Sequence, residues 1–296
     1  MQRSVTRLLL SLFQPAALVL IVAFWAVAPP ALLDNPLAIT AISFGTLAIV
    51  QMLEFLNERH PGWRLNAREF LTDLFYVVLY YVAIEALGTK LVDDPLASVK
   101  RTLGITTDWT MQLPFPVQVA LVLLLVEFGQ YWMHRLMHNS FLWWTHAPHH
   151  HITQLNALKG YVGNPLELFL ISLSVVALFD FRPNAVFCAF HLLVTIPAFA
   201  HANVRSNPPR WYSYFFTTVE AHSLHHAVGF EETRCNYANS LILIDRMFGT
   251  FKSGETDTVG QDERKRLGVH QQLLFPLRPL MKYLSTRFGD SASPAS

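Results

Sequence analysis

The chain has 296 residues, of which 52% are hydrophobic and only 15% charged, with a formal net charge of +1. Globular domains average about 25% charged residues, so this composition excludes an ordinary soluble domain and points to a membrane. So small a net charge, with no compact basic patch, leaves no electrostatic footprint for nucleic acid, and two cysteines, Cys188 and Cys235, supply neither a disulfide scaffold nor a Cys-based zinc finger.

The N-terminal stretch MQRSVTRLLLSLFQPAALVLIVAFWAVAPPALL places Arg3 and Arg7 before a long apolar run. A signal peptide shares these features. An uncleaved anchor is preferred, because the run approaches the roughly 20 residues a span needs rather than the 7–15 of a signal sequence. Further apolar segments follow at about Leu37 to Leu56, Phe70 to Leu87, Phe115 to Met133, Leu166 to Phe181 and Ala185 to Ala200. The last two are short, joined by FRPN, and read either as one re-entrant hairpin or as two tilted spans. The polar tail GDSASPAS is expected to be disordered. The expected fold is therefore all-α: a polytopic membrane helical bundle, with N-terminal transmembrane helices over 1–114, a histidine-box region over 115–251 and a C-terminal tail over 252–296.

Short-loop Lys/Arg content sets orientation. Arg3 and Arg7 precede the first span, Arg59, Arg64 and Arg68 follow the second, and PPALLDNP between them carries no basic residue. A cytoplasmic N-terminus follows, although Lys90, Lys100 and Arg101 after the third span weigh against it. Alternation then places the end of the fourth span, the end of the sixth and everything beyond on the cytoplasmic side, as a histidine-rich cap.

On that face the histidines collect. HRLMH holds His134 and His138 at i and i+4; HAPHH holds His146, His149 and His150, and HSLHH holds His222, His225 and His226, each at i, i+3 and i+4; His201 closes the sixth span. These spacings put the members of each set on one side of a helix, with Pro148 tolerated in a first turn but not mid-helix. Neutral imidazole is the commonest metal ligand and suits iron, copper, zinc and nickel. Any lone histidine is more often a satisfied core residue than a ligand, but three clusters on one membrane face, with few acidic partners, argue for metal. Their number exceeds what one four- to six-coordinate ion uses, so two metals are expected. A membrane metal transporter is a weaker reading, since transporters place their sites near the bilayer midplane. A haem electron-transfer protein needs histidines paired inside the bilayer, where only His191 lies, and a zinc protease lacks its HExxH.

The order HRLMH, HAPHH, HSLHH resembles the HxxxH, HxxHH, HxxHH boxes of the fatty acid hydroxylase/sterol desaturase superfamily. NYANSLILIDRMFGTF (Asn236 to Phe251) is similar to its NYG…WD..FGT segment, and AFAHANV (Ala198 to Val204) to its QHxN-like box. The resemblance covers about Val122 to Phe251. It implies an integral-membrane, non-haem di-iron enzyme, in a bacterial inner membrane or the endoplasmic reticulum, that uses O2 and electrons from a separate donor protein to hydroxylate, less often desaturate, a C–H bond of a lipid. It implies two Fe ions held by His134, His138, His146, His149, His150, His201, His222, His225 and His226. The chain departs from the family pattern at Asn164, where a histidine is frequent, and at His151, where Ser or Thr is frequent. Glu127, where Asp is frequent, faces two readings of equal weight: orienting a ligand's second nitrogen, or pairing within the bundle. His191, about 15 Å along a helix from His201, is assigned to packing. His60 sits in a loop too short for a haem domain, and His270 has no companions. Trp132, Trp143, Trp144, Trp211, Tyr212, Tyr214, Phe215 and Phe216 suit an interfacial belt, some with a place along an apolar pocket.

Overall fold

The structure, a computed structural model, describes residues 2–281 and 284, with side chains from residue 10 onward. The GDSASPAS tail lies outside the described residues. The main helices are α1 (Gln2–Ala26), α2 (Pro36–Leu56), α3 (Ala67–Thr102), α4 (Phe115–His138), α5 (Trp143–His150), α6 (Pro165–Ser172), α7 (Pro183–His201), α8 (Val219–His225) and α9 (Ile242–Met247). Four of them, α2, α3, α4 and α7, are long and apolar enough to cross a membrane. The chain is an all-helical integral membrane protein, and among the described residues there is no β-strand beyond two isolated bridges.

Local signals start these helices. The Asn35 side chain accepts from Ala38 N at the start of α2 and the Asn66 side chain from Glu69 N at the start of α3, each satisfying one of the orphan donors of a first turn. Proline occupies the first turn of α2, α4, α6 and α7, where its missing N–H costs nothing.

Among the described residues, six passes of chain run between two ends of the bundle. At the end remote from the histidines, Gln118 Oε1 in α4 accepts from Arg182 N at the head of α7 (2.9 Å), the Asn184 side chain donates to Trp25 O near the end of α1 (3.3 Å), and Lys100 pairs with Asp180 (2.5 Å). At the histidine end, Gln14 in α1 donates to Ser206 (3.4 Å), and Glu54 in α2 accepts from Ala157 N and Asn203 N. The N-terminus therefore lies at the same end as the histidines. The fifth pass settles the choice between hairpin and two spans: it is a pass of its own, but broken. Helix α6 stops at Ser172, a 3-10 turn follows at Val176–Leu178, and Asp180 reaches the far end to accept from Thr107.

The third pass corrects an expectation. Lys90, Lys100 and Arg101 do not form a loop; they ride on α3, a continuous 36-residue helix with π-turns at Tyr80–Ile84 and Thr89–Asp93. At 1.5 Å per residue it is about 54 Å long, well beyond the ~30 Å hydrocarbon core.

Parallel helices α4 and α7 form the centre. The small side chains of Ala185, Cys188 and Ala189 join Val119, Val122 and Leu123 in the main buried cluster, and small residues at such a seam let backbones approach closely. His191 belongs to this packing, as expected: its ring nitrogens meet Trp25 Nε1 at 3.1 Å and Thr46 Oγ1 at 2.8 Å. At the histidine end, the buried Lys159 ammonium pairs with Glu69 (2.5 Å) and Asp73 (2.6 Å) of α3. That network fastens the loop after α5 to the bundle.

Candidate metal centre

Each histidine set is delivered by a short, fixed element. His134 and His138 end α4, within the same helix as the membrane pass. His146, His149 and His150 lie on α5, which runs through Pro148; the expectation that proline stays in the first turn is wrong here, and a two-turn helix tolerates the lost rung. His222 and His225 lie on α8, His226 caps it, and His201 ends α7. All nine are buried, none more than 6% exposed.

They gather into two groups. His134, His138, His146, His150 and His225 form one, and His149, His201, His222 and His226 the other, with the potential ligand atoms of each group within 4.8 Å of one another. Both HxxHH boxes divide in the same way: the i and i+4 histidines join one group and the i+3 histidine joins the other. The two groups adjoin, with the His150 and His226 rings stacked at 4.6 Å.

The nitrogens show why a cation fits. His134 Nδ1 donates to Tyr237 O (2.6 Å) and His146 Nδ1 to Glu167 Oε1 (2.8 Å), so the Nε2 atoms of both rings are bare lone pairs, and they face each other at 2.9 Å. His150 Nε2 lies 3.0 Å from His146 Nε2. In the second group His201 Nδ1 donates to Pro197 O, and His222 Nε2 lies 3.0 Å from His201 Nε2 and 3.1 Å from His226 Nε2. The His134 and His146 lone pairs, so close, repel unless a cation sits between them, and the rings of His150, His222 and His226, whose Nδ1 atoms are unpartnered, can turn an unprotonated Nε2 to the ion of their own group. With metal–nitrogen bonds of about 2.1 Å, adjacent ligands of an octahedral ion stand about 3.0 Å apart. The buried Nε2 atoms of His138 and His225 have no hydrogen-bond partner, as ligand atoms should not.

Burial holds these imidazoles in the form that binds metal. It pushes His146 down to about 3 and His149 to about 4, while the carboxylate of Glu167 pulls His149 back up to a lesser degree. The ordinary value is 6.5, so between about pH 4 and 6.5 the unfolded chain binds more protons than the fold. Stability of the metal-free protein therefore rises with pH across that window and is lost as pH falls through it. Thermal unfolding of chelator-treated protein should show a midpoint that drops between pH 7 and 5 and levels off above 7; a flat profile would mean that the cluster is open to water.

Beside both groups lies a cavity of about 150 Å³. His134, His146, His149 and His201 form its polar end, and Val126, Leu168, Ile171, Leu193, Val194 and Ala198 line its walls between α4, α6 and α7.

Residues 119–250 match the family model for fatty acid hydroxylases. Over that stretch the chain is similar to fatty acid hydroxylases, and its relatives support the wider fatty acid hydroxylase/sterol desaturase superfamily. It is 28% identical to ornithine lipid hydroxylase OlsE of Rhizobium tropici over 71% of this chain and 66% of that relative. It is 30% identical to alkylglycerol monooxygenase of Xenopus tropicalis over 48% of this chain and 30% of that relative, and 29% identical to Delta(7)-sterol-C5(6)-desaturase of Nicotiana tabacum over 52% and 55%. The chain thus spans less than two thirds of the length of these relatives. No solved structure matches it.

Against that family pattern, several side chains take roles of their own. Glu127 does not orient a ligand: its Oε1 accepts from Ser240 N at 2.7 Å, so the reading in which it pairs within the bundle holds. Asn164, at the family's frequent histidine, caps α6 and donates to Gln272 O and Leu273 O, tying the C-terminal segment down. His151 is buried but outside both groups, against Lys265 O at 3.3 Å. His60 pairs with Glu255 at 2.7 Å. Of the eight aromatics, Trp132, Trp144, Trp211, Tyr214 and Phe215 are exposed, as a belt requires, whereas Tyr212 is in the core and Trp143 packs 5.0 Å from His138 and 5.3 Å from His150. None of the eight lines the cavity, whose aromatics are Tyr80, Tyr161 and Phe190.

Sequence reasoning missed the groups that orient the rings. They are Glu167 on His146 and the carbonyls of Tyr237, Val162 and Cys235 on His134, His149 and His225. Asp245 sets the first of these carbonyls by accepting from Tyr237 N and Ala238 N, both at 2.8 Å. Only Glu167 left a trace in the sequence, as the third helical residue of a capping box opened by Asn164.

Proposed function

We propose that the chain is a membrane non-haem di-iron oxidase that uses O2 to hydroxylate, or less often desaturate, a C–H bond of a lipid, with electrons from a separate donor protein. The observation that carries the reading is two imidazole-only groups whose ring nitrogens converge at the end of an apolar cavity. His134, His138, His146, His150 and His225 would hold one iron and His149, His201, His222 and His226 the other. Bound iron supplies the activation of O2 and the removal of hydrogen from an unactivated C–H bond. The protein's own residues do the rest. Carbonyls and Glu167 fix the tautomers of His134, His146, His149, His201 and His225 so that Nε2 points inward, burial excludes water from the reacting end, and the walls from α4, α6 and α7 align a hydrocarbon chain with its oxidisable carbon beneath His134 and His201. The relatives' names, hydroxylases and a desaturase of lipids and sterols, support the substrate class.

Metal analysis of anaerobically purified, iron-replete protein should approach two irons per chain, and lipid extracts of a deletion strain should lack a species one oxygen heavier, or two hydrogens lighter, than one in the complemented parent. One iron per chain, haem absorbance or unchanged lipids would sink the reading.

The histidine end faces the cytoplasm. That placement rests on Arg3, Arg7, Arg59, Arg64 and Arg68 at the histidine end, which outnumber Lys100, Arg101 and Arg182 at the other. With Cys188 and Cys235 both buried, an Asn139→Cys variant should resist impermeant thiol reagents in sealed right-side-out vesicles and react once they are permeabilised. Labelling in the sealed vesicles would invert the topology.

A further inference from the structure

The two groups differ in what stands behind them. Among the described residues, Glu167 is the one carboxylate bonded to any of the nine imidazoles, and its bond goes to His146 of the five-histidine group; on His149 of the other group it acts only through space. His146 is central there, its Nε2 within 2.9 Å of His134 Nε2 and 3.0 Å of His150 Nε2. In the four-histidine group the outward nitrogens of His149 and His201 reach only neutral carbonyls, Val162 O and Pro197 O, and His222 and His226 have buried Nδ1 atoms with no partner.

The seat of Glu167 is built. Its side chain is 3% exposed, and its second oxygen accepts from Asn164 N at 3.1 Å. The carboxylate passes over Gly163 so closely that a Cβ added there would lie 2.1 Å from Oε2. Only glycine leaves this gap.

We propose that Glu167 makes the two metal positions unequal, so that the ion of the five-histidine group is held more tightly than that of the four-histidine group. A carboxylate accepting Nδ1–H leaves more electron density on Nε2 and strengthens that nitrogen as a donor, and loss of such an outer partner typically costs about 10–100-fold in metal affinity. Glu167 is a positioning residue: it acts through His146. The inference rests on the dinuclear reading above and adds to it an order of strength that the ligand counts alone do not assign to any residue.

The test titrates ferrous ion, anaerobically, into the metal-free full-length protein in detergent, with Mössbauer spectra of the loaded samples. Two irons should bind in two affinity classes. Glu167→Gln, which keeps the shape and removes the charge, should weaken the tighter class by about 10–100-fold and shift one of two quadrupole doublets. The weaker class, unchanged, reports that the fold is intact. Gly163→Ala, which displaces the carboxylate without removing it, should reproduce the effect, and His222→Ala should remove the weaker class. If Glu167→Gln weakens both classes alike, or neither, the inference fails while the dinuclear reading stands. If the wild type binds a single iron, the dinuclear reading fails and takes the inference with it.

Discussion

Replacing His225 or His149 by alanine should abolish turnover, with a loss greater than the roughly 10–100-fold that an outer-shell partner costs. Each sits in a different group, and each has its Nδ1 fixed by a carbonyl, Cys235 O for His225 and Val162 O for His149, so that Nε2 faces the cluster. His191 is the control. It is buried as they are, but both of its ring nitrogens are bonded, to Trp25 and Thr46 within the helix bundle. His191→Ala leaves the Trp25 indole N–H without its acceptor, while Thr46 keeps its bond to Ile42 O; the cost is about 1–3 kcal/mol in stability, and the variant should melt lower while the surviving protein turns over near the wild-type rate. All three variants need wild-type membrane levels and a monodisperse detergent peak before rates are compared. Full activity in His149→Ala would remove the four-histidine group from the chemistry.

Filling the cavity should have the next largest effect. Ala198 is 3% exposed on the cavity wall, one helical turn before His201. A phenyl ring there takes up space where the substrate chain must lie. Because misplacement by about 1 Å costs on the order of 100-fold, Ala198→Phe should cut turnover of long-chain substrate by at least that while iron content stays at two per chain. Val194→Ala, which enlarges the same wall, should leave iron unchanged and relax chain-length preference. Unaltered turnover in Ala198→Phe would mean that the substrate reaches the histidines by another route.

The histidine spacing carried most of this site. Eight of the nine expected residues lie at i, i+3 or i+4 spacings, helical geometry that is readable without tertiary information; His201 came from its place at the end of the sixth span and from the family resemblance, and the fold brings all nine together. The partition into five and four was not legible, since it depends on how α5 and α8 sit against α4 and α7. The carbonyls that orient the rings were equally hidden: every residue has one, and only the fold selects those of Tyr237, Val162 and Cys235. Glu127 misled for a related reason. Two turns from His134 is a statement about one helix, but its carboxylate accepts from a loop 113 residues away. Among the helices, the apolar runs located every pass, and hydropathy was blind to the break after Ser172 because the residues that follow remain apolar.

The shared division of the two HxxHH boxes means that the spacing between the metal positions is set by helical pitch, not by loop length. Each box is a bracket with one arm in either group. A residue inserted between the first and second histidines of either bracket would turn its later arms by about 100°, taking donors from both groups at once. Exposed positions of the chain between the brackets, such as Trp211, Tyr214 and Phe215, can change without touching that distance. Variation along this lineage should accordingly accumulate between the boxes, while the three- and four-residue intervals inside them behave as a fixed ruler.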